Sequence, residues 1–221
     1  TRTMDNLYKI SKAHTIYKTT DGRRVPGATT ITGLLNKPYL VTWANRLGLD
    51  GIDSAKYRDE AADIGTLAHA MVQAHLQGLK LDEDEYSPLQ LDMAANAFLK
   101  YLEWEKNKNI KVIFCETPLV SDKNLYGGTM DLYCELDGIK TLVDFKTGKA
   151  IYDEYFVQTS AYAELLKEHG HQVEQIKILR IGRDEEEGFE ERTILNWERY
   201  YKIFKNLNEI YQIKKELKWT A

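Results

Sequence analysis

Apolar positions change their period along the chain. From Asp59 to Gln77 they recur every three or four residues. Ile64, Leu67, Ala68, Met71, Val72 and Leu76 form one stripe, as on an amphipathic helix, and Gly78 supplies its stop. Leu89 to Asn107 repeats the pattern, with Met93, Ala94, Ala97, Phe98, Tyr101, Leu102 and Trp104 inward. The period then falls to two. "KVIFCETPLV" predicts a strand, and Gly127 to Lys149, "GGTMDLYCELDGIKTLVDFKTGK", predicts two more. Helical spacing returns in "DEYFVQTSAYAELLKEHG", which ends at Gly170. Two strands follow, "VEQIKILRIG" and "GFEERTIL", with "EEEG" turning between them, and Trp197 to Trp219 predicts a last helix. Ahead of all these, "HTIYKTTDGRRVPGATTI" reads as a hairpin turning at Asp21-Gly22. "TITGLLNKPYLVTWANRLG" reads as one or two short helices interrupted at Pro38. The order is helices, three strands, a helix, two strands, a helix. It predicts an α/β fold in one domain over 1–221, a central mixed β-sheet flanked by helices, with 1–58 as a hairpin and helix extension.

The strand pair from Gly127 to Lys149 contains a conflict. Asp137-Gly138 is a strong two-residue hairpin signal, because both central residues of a type I′ turn need positive φ. Counting outward, Leu136 faces Ile139, Glu135 faces Lys140, Cys134 faces Thr141, and Asp131 ends opposite Asp144. Like charges directly opposed are destabilising. Alternation puts Leu132, Cys134, Leu136, Ile139, Thr141, Val143 and Phe145 on one face, predicted as core. It puts Asp131, Tyr133, Leu142, Asp144 and Lys146 on the other, predicted as displayed. The simplest resolution is a cation between the acids. Mg²⁺ takes oxygen ligands and keeps waters, and Lys146 points to the same side. A metal, a polarised water and an ammonium at one spot suit phosphodiester hydrolysis. Asp144–Phe145–Lys146 alone would read better as a surface charge ladder. The count across the turn is what adds Asp131.

Composition narrows the setting without choosing the chemistry. The chain has 221 residues, 43% hydrophobic and 29% charged, with no apolar run near the ~20 residues that span a bilayer. Its start, "TRTMDNLYKISK", has no apolar leader core, so the expectation is a cytoplasmic protein with no membrane partner. Two cysteines, Cys115 and Cys134, cannot supply four thiolates, which excludes an iron–sulfur cluster on ligand count. A net charge of −4 argues against a protein that coats polyanions generally. The first fifty residues nevertheless carry Arg2, Lys9, Lys12, Lys18, Arg23, Arg24, Lys37 and Arg46 against Asp5, Asp21 and Asp50.

"GTMD", then "DFKTGK" a hairpin later, then "QTSAY" on the next helix resembles the PD-(D/E)XK nuclease superfamily. The nearest branch is its RecB-like exonucleases, the phage-type and mitochondrial genome maintenance exonucleases among them. "GTLAHAMVQ", Gly65 to Gln73, is similar to that branch's upstream histidine motif. "VPGATTITGLLNKPYLVTW" is similar to its opening, with Gly27-Ala28 departing from the usual Ser-Val. The resemblance spans about residues 15 to 166 and implies a restriction endonuclease-like core. It implies that His69, Asp131, Asp144 and the Phe145 main-chain carbonyl ligate Mg²⁺ or Mn²⁺, one ion or two. It also implies that Lys146 orients or activates water, and that Gln158 and Tyr162 lie near Lys146 and the scissile phosphate. By residue type alone, His69 on its apolar helix would be a hydrogen-bonded core histidine, and His75 stays one. Gln158 and Tyr162 are four apart, hence on one helix face. Glu116 is a candidate further ligand or supporting acid, with a purely structural role the alternative.

The implied activity is a metal-dependent DNA exonuclease that cuts by metal-activated water, from ends of single-stranded DNA, in recombination, repair or replication. Alternatives are a structure-selective endonuclease and a catalytically silent DNA-binding module of a recombination complex. A recombination or replication protein is a further candidate partner. Arg23, Arg24, Tyr39 and Trp43 are candidate strand contacts, since single-strand grooves combine cations with stacking platforms. Thr147 and Lys149 are candidate phosphate contacts.

Overall fold

In the computed structural model, which describes residues 6–11 and 13–219, Asp137 and Gly138 both adopt positive φ, 49° and 87°. They join β6 (Tyr126–Leu136) to β7 (Ile139–Lys146). The register is the one the turn dictates, from Leu136 opposite Ile139 to Leu132 opposite Val143. This hairpin is the middle of a five-stranded sheet ordered β5-β6-β7-β8-β9, with β5 (Ile110–Ser121), β8 (Gln175–Ile181) and β9 (Phe189–Ile194). β7 and β8 are parallel and the other pairs antiparallel, so the sheet is mixed. The parallel pair needs a crossover, supplied by α5 (Asp153–Glu168).

Helices cover both faces. α3 (Ser54–Gln77) and α4 (Pro88–Glu105) lie on one side, where Leu67, Ala68, Val72, Ala97 and Tyr101 pack on Leu132, Cys134, Val143 and Phe145. α5, α6 (Glu198–Glu216) and the short α1 (Ala28–Thr32) lie on the other. There Ile31, Val157, Ala161, Leu165 and Phe204 pack on Met130, Tyr133, Leu142 and Ile178. Full burial of one such large side chain is worth about 1.5–3 kcal/mol, so two apolar layers are ample to hold the sheet. The result is an α/β single domain with a central mixed sheet, consistent with a restriction endonuclease-like core.

This arrangement corrects one expectation. The hairpin face bearing Tyr133, Leu142 and Asp144 is not displayed; α5 covers it, and all three side chains are buried. A two-sided alternation of apolar residues belongs to a central strand, and polar-looking positions at its end become an interior pocket.

Helix ends follow local chemistry. Asp53 caps α3 by accepting from the N–H groups of Ala55 and Lys56, and Gly78 closes it at φ 66°. The helix therefore starts ahead of its apolar stripe. Ser87 and Gln90 make a reciprocal capping box on α4. α2 (Pro38–Leu49) begins at Pro38, which interrupts the helical run as predicted. The N-terminal hairpin pairs β2 (Tyr17–Lys18) with β3 (Arg24–Val25). A small parallel pair, β1 (Leu7–Tyr8) with β4 (Lys80–Leu81), has no periodic signal in so short a run. Arg2, Asp5 and Lys12 of the basic N-terminal count lie outside the described residues. Among the described residues no helix is long and apolar enough to cross a membrane.

Candidate active site

The paired ladder of β6 and β7 ends at Leu132–Val143, one step short of the two aspartates. The next N–H of β7, on Phe145, donates to the Asp131 carboxylate at 2.8 Å instead of to β6 main chain. The Asp131 carbonyl accepts from Gln73 Nε2 at 2.8 Å, and the Phe145 carbonyl accepts from His69 Nε2 at 2.5 Å. His69 and Gln73 are one helical turn apart on α3. The helix thus inserts two side chains where the strands part, and both bond main-chain carbonyls there.

Glycines make this approach physical. A Cβ on Gly65 would lie 2.7 Å from Thr147 Oγ1, so a side chain there would crowd Thr147 at the end of β7. A Cβ on Gly128 would lie 2.5 Å from the Tyr162 ring, and one on Gly127 would lie 2.3 Å from the Tyr17 ring. The open space that Gly127-Gly128 leaves is filled by two tyrosine rings.

Across the sheet, Lys146 Nζ sits 3.0 Å from Asp144 Oδ2 and 3.1 Å from Gln158 Oε1. Gln158 Nε2 then donates to the Tyr162 hydroxyl at 2.7 Å. The Tyr155 ring lies 4.7 Å from the ammonium. Burial works to lower the affinity of Lys146 for its proton. Asp144 first, then Tyr162 and Asp131, outweigh it and hold the group above its ordinary value. Lys146 is therefore a cation at neutral pH. Burial pushes Asp131 the other way, up to about 6 from an ordinary 3.8. The His69 imidazole pulls it down, the Asp144 charge pushes it up, and Lys146 with the Phe145 N–H lowers it again. Burial likewise raises Tyr162, which stays a neutral phenol.

The donor set suits a hard divalent ion in kind: one imidazole, two carboxylates and a main-chain carbonyl. His69 Nε2 lies 2.5 Å from Phe145 O and 3.9 Å from Asp131 Oδ2, and neighbouring ligands on an octahedral Mg²⁺ stand roughly 3 Å apart. Asp144 Oδ2 is buried and makes no hydrogen bond among the described residues, only the off-axis ion pair with Lys146. Its charge is balanced by that ammonium, and it has lone pairs left to accept a further partner. Among the described residues no three His, Cys, Asp or Glu side chains by themselves form a metal-binding cluster.

The remaining expected residues separate into groups. Glu116, between the Cys115–Leu132 and Thr117–Met130 pairs, stands across β5–β6 from Asp131 with φ at 44°. Its carboxylate accepts from the Tyr8 hydroxyl and, at 3.5 Å, from Gln77 Nε2. It shares a cavity of about 390 Å³ with His69. Thr147 sits against Gly65. Lys149 lies away from the acids, lining a cavity of about 430 Å³ with Tyr57, Arg183 and Glu187. Arg24 lines a cavity of about 720 Å³ that also touches Tyr162 and Thr129. Arg23 is exposed in the turn. Tyr39 stacks on Tyr152 at 5.3 Å, and Trp43 packs edge-on against Tyr57 at 6.0 Å. His75 is structural, 2.7 Å from Glu105. Two residues were missed. Gln73 was findable as the i+4 partner of His69. Tyr155 carried no motif.

No family model matches the chain, and no curated protein does. Among solved structures, a candidate exonuclease from Eubacterium rectale aligns with 68% of this chain at 14% identity and TM-score 0.48. The aligned part spans 65% of that protein's length. An alkaline exonuclease from Laribacter hongkongensis aligns over 72% of this chain and 92% of its own at 14% identity and TM-score 0.33. The same exonuclease in complex with dAMP aligns over 73% of this chain and 92% of its own at 12% identity and TM-score 0.38. At these scores none of the likenesses bears on function.

Proposed function

We propose that this protein is a divalent-metal-dependent deoxyribonuclease, working as an exonuclease on ends of single-stranded DNA. One observation carries the reading. At the parted end of the hairpin, two carboxylates, a carbonyl, an imidazole and a buried ammonium converge on one spot, with a carboxylate oxygen left without a hydrogen bond. The ordered resemblance of "GTMD", "DFKTGK" and "QTSAY" to RecB-like nucleases supports it independently.

Mg²⁺ or Mn²⁺, held by His69, Asp131, Asp144 and the Phe145 carbonyl, would supply Lewis acidity and charge neutralisation at the scissile phosphate. The side chains do the rest. Lys146, a cation fixed between Asp144 and Gln158, donates to a non-bridging phosphate oxygen and stabilises the charge that builds as water adds to phosphorus. As an ammonium it orients and neutralises; it does not take the proton from water. Gln158 is locked by giving its carbonyl to Lys146 and its amide to Tyr162, which leaves the Tyr162 O–H free to donate into the adjoining cavity. Gln73 and His69 keep the two strands parted. Cleavage breaks the P–O3′ bond and leaves a 5′-phosphate and a 3′-hydroxyl.

The test is cleavage of linear DNA labelled at either end, and of circular single strands, with Mg²⁺, Mn²⁺ or EDTA. The reading expects stepwise loss of the linear label only with metal and an intact circle. A cut circle would favour a structure-selective endonuclease. Metal-independent binding with no cutting would leave only a silent DNA-binding module.

A further inference from the structure

We propose that the C-terminal end of α6 and the β2–β3 hairpin form the walls of a groove that holds a single DNA strand next to the site. This rests on the nuclease reading for the identity of its ligand and adds the residues that bind it. The cavity of about 720 Å³ beside Tyr162 and Thr129 is lined by His14, Arg24, Tyr211 and Lys215. A second, of about 420 Å³, shares Thr29, Thr30, Tyr211 and Lys215 with it and continues to Lys214 and Trp219. The two make one path leading away from the Lys146–Gln158–Tyr162 relay.

Among the described residues no acid lines either cavity, in a chain with 34 acids and 30 bases. The cavity at Lys149 is different, with Glu60, Asp184, Glu186 and Glu187 around its cations. Among the described residues no ion pair engages Arg24, Lys214 or Lys215, so their charges are available to a ligand. Cations interleaved with aromatic rings and hydroxyls, and free of acids, suit a phosphodiester backbone with stacked bases.

The end of α6 points the same way. Lys218 takes φ of 54°, a region usually left to glycine. Its N–H reaches the Lys215 carbonyl, and the Trp219 N–H reaches the Lys214 carbonyl at 2.9 Å, closing the helix in a Schellman turn. Such a turn usually tucks its last apolar side chain back onto the helix. Here Trp219 is 67% exposed and lines the groove. A strained cap that holds an indole in solvent beside two unpaired lysines is a stacking platform.

The experiment measures metal-free binding of a fluorescein-labelled oligothymidylate in EDTA over a range of salt. It compares wild type with Lys215→Glu, Trp219→Ala and Lys205→Glu. Lys205 is exposed on α6 but lines neither cavity, so its reversal is the charge control. Lys215→Glu should weaken binding and flatten the log–log salt slope by about 0.7, the loss of one phosphate contact on a single strand. Trp219→Ala should weaken binding by roughly five- to a hundredfold, the range for one stacked base. Lys205→Glu should bind like wild type. Hydrolysis of the p-nitrophenyl ester of thymidine 5′-phosphate, too small to fill the groove, should be unchanged in Lys205→Glu. Equal binding by wild type and both groove variants, or no binding by wild type, overturns the groove. If the variants lose binding but no protein cleaves DNA, the nuclease reading fails and the groove stands.

Discussion

Asp131 carries the clearest titration signature of the site. Its carboxyl is pushed up to about 6 from an ordinary 3.8, chiefly by burial, and Asp144 adds to the push. Between those values the folded protein keeps a proton that the unfolded chain has lost. Metal-free stability therefore falls as pH rises through about 4 to 6, and stays lower above it, by on the order of 2–3 kcal/mol at most. Asp131→Asn keeps an oxygen for the Phe145 N–H and removes the charge. The variant should unfold at higher temperature than wild type at pH 7 in EDTA, match it near pH 4, and lose cleavage. Calorimetric melts at the two pH values check the first two outcomes. The register was legible as far as Leu132 opposite Val143, because a two-residue turn leaves the count no freedom up to there. That Phe145 and Asp131 exchange main-chain partners with α3 was not, because sequence does not say where a ladder stops.

At the scale of elements, the site depends on how near α3 comes to the end of β7. Gly65 sets that distance. Gly65→Ala places a methyl 2.7 Å from Thr147 Oγ1, so either the Thr147 side chain turns away or α3 moves off the end of β7 and carries His69 and Gln73 with it. The expected outcome is at least a tenfold loss of cleavage with a destabilisation of about 1–3 kcal/mol, read by turnover and urea melts. A variant as active as wild type would mean the contact is not needed. The periodicities matched α3 to α6 and the central sheet strands nearly as they stand, because those elements bury apolar faces. They did not reveal that both hairpin faces are covered. Tyr133 and Leu142 look like ordinary alternation until α5 lies on them. Only packing identifies the neighbours of Gly127 and Gly128 as the rings of Tyr17 and Tyr162.

For the molecule as a whole, an ion at the site should act as a ligand of the folded state. Saturating Mn²⁺ should raise the melting temperature, by the equivalent of about 2.7 kcal/mol at a hundred times its dissociation constant. The rise should be larger at pH 7 than at pH 5, where Asp131 holds a proton that competes with the metal. A pH-independent rise would place the ion elsewhere. The basic N-terminal count pointed to a strand contact, and Arg24 does line a cavity at the site. The C-terminal helix gave no such signal, since its lysines look like any solvated face until the fold sets them beside Arg24.

The whole account turns on Asp144, the buried carboxylate with an oxygen that lacks a hydrogen bond. Cleavage of end-labelled single-stranded DNA in Mg²⁺ by wild type and by Asp144→Asn is its most direct test. Metal-dependent cleavage by wild type, lost by at least about a thousandfold in a folded Asp144→Asn, is the predicted result. A folded Asp144→Asn protein that cuts at the wild-type rate would contradict it.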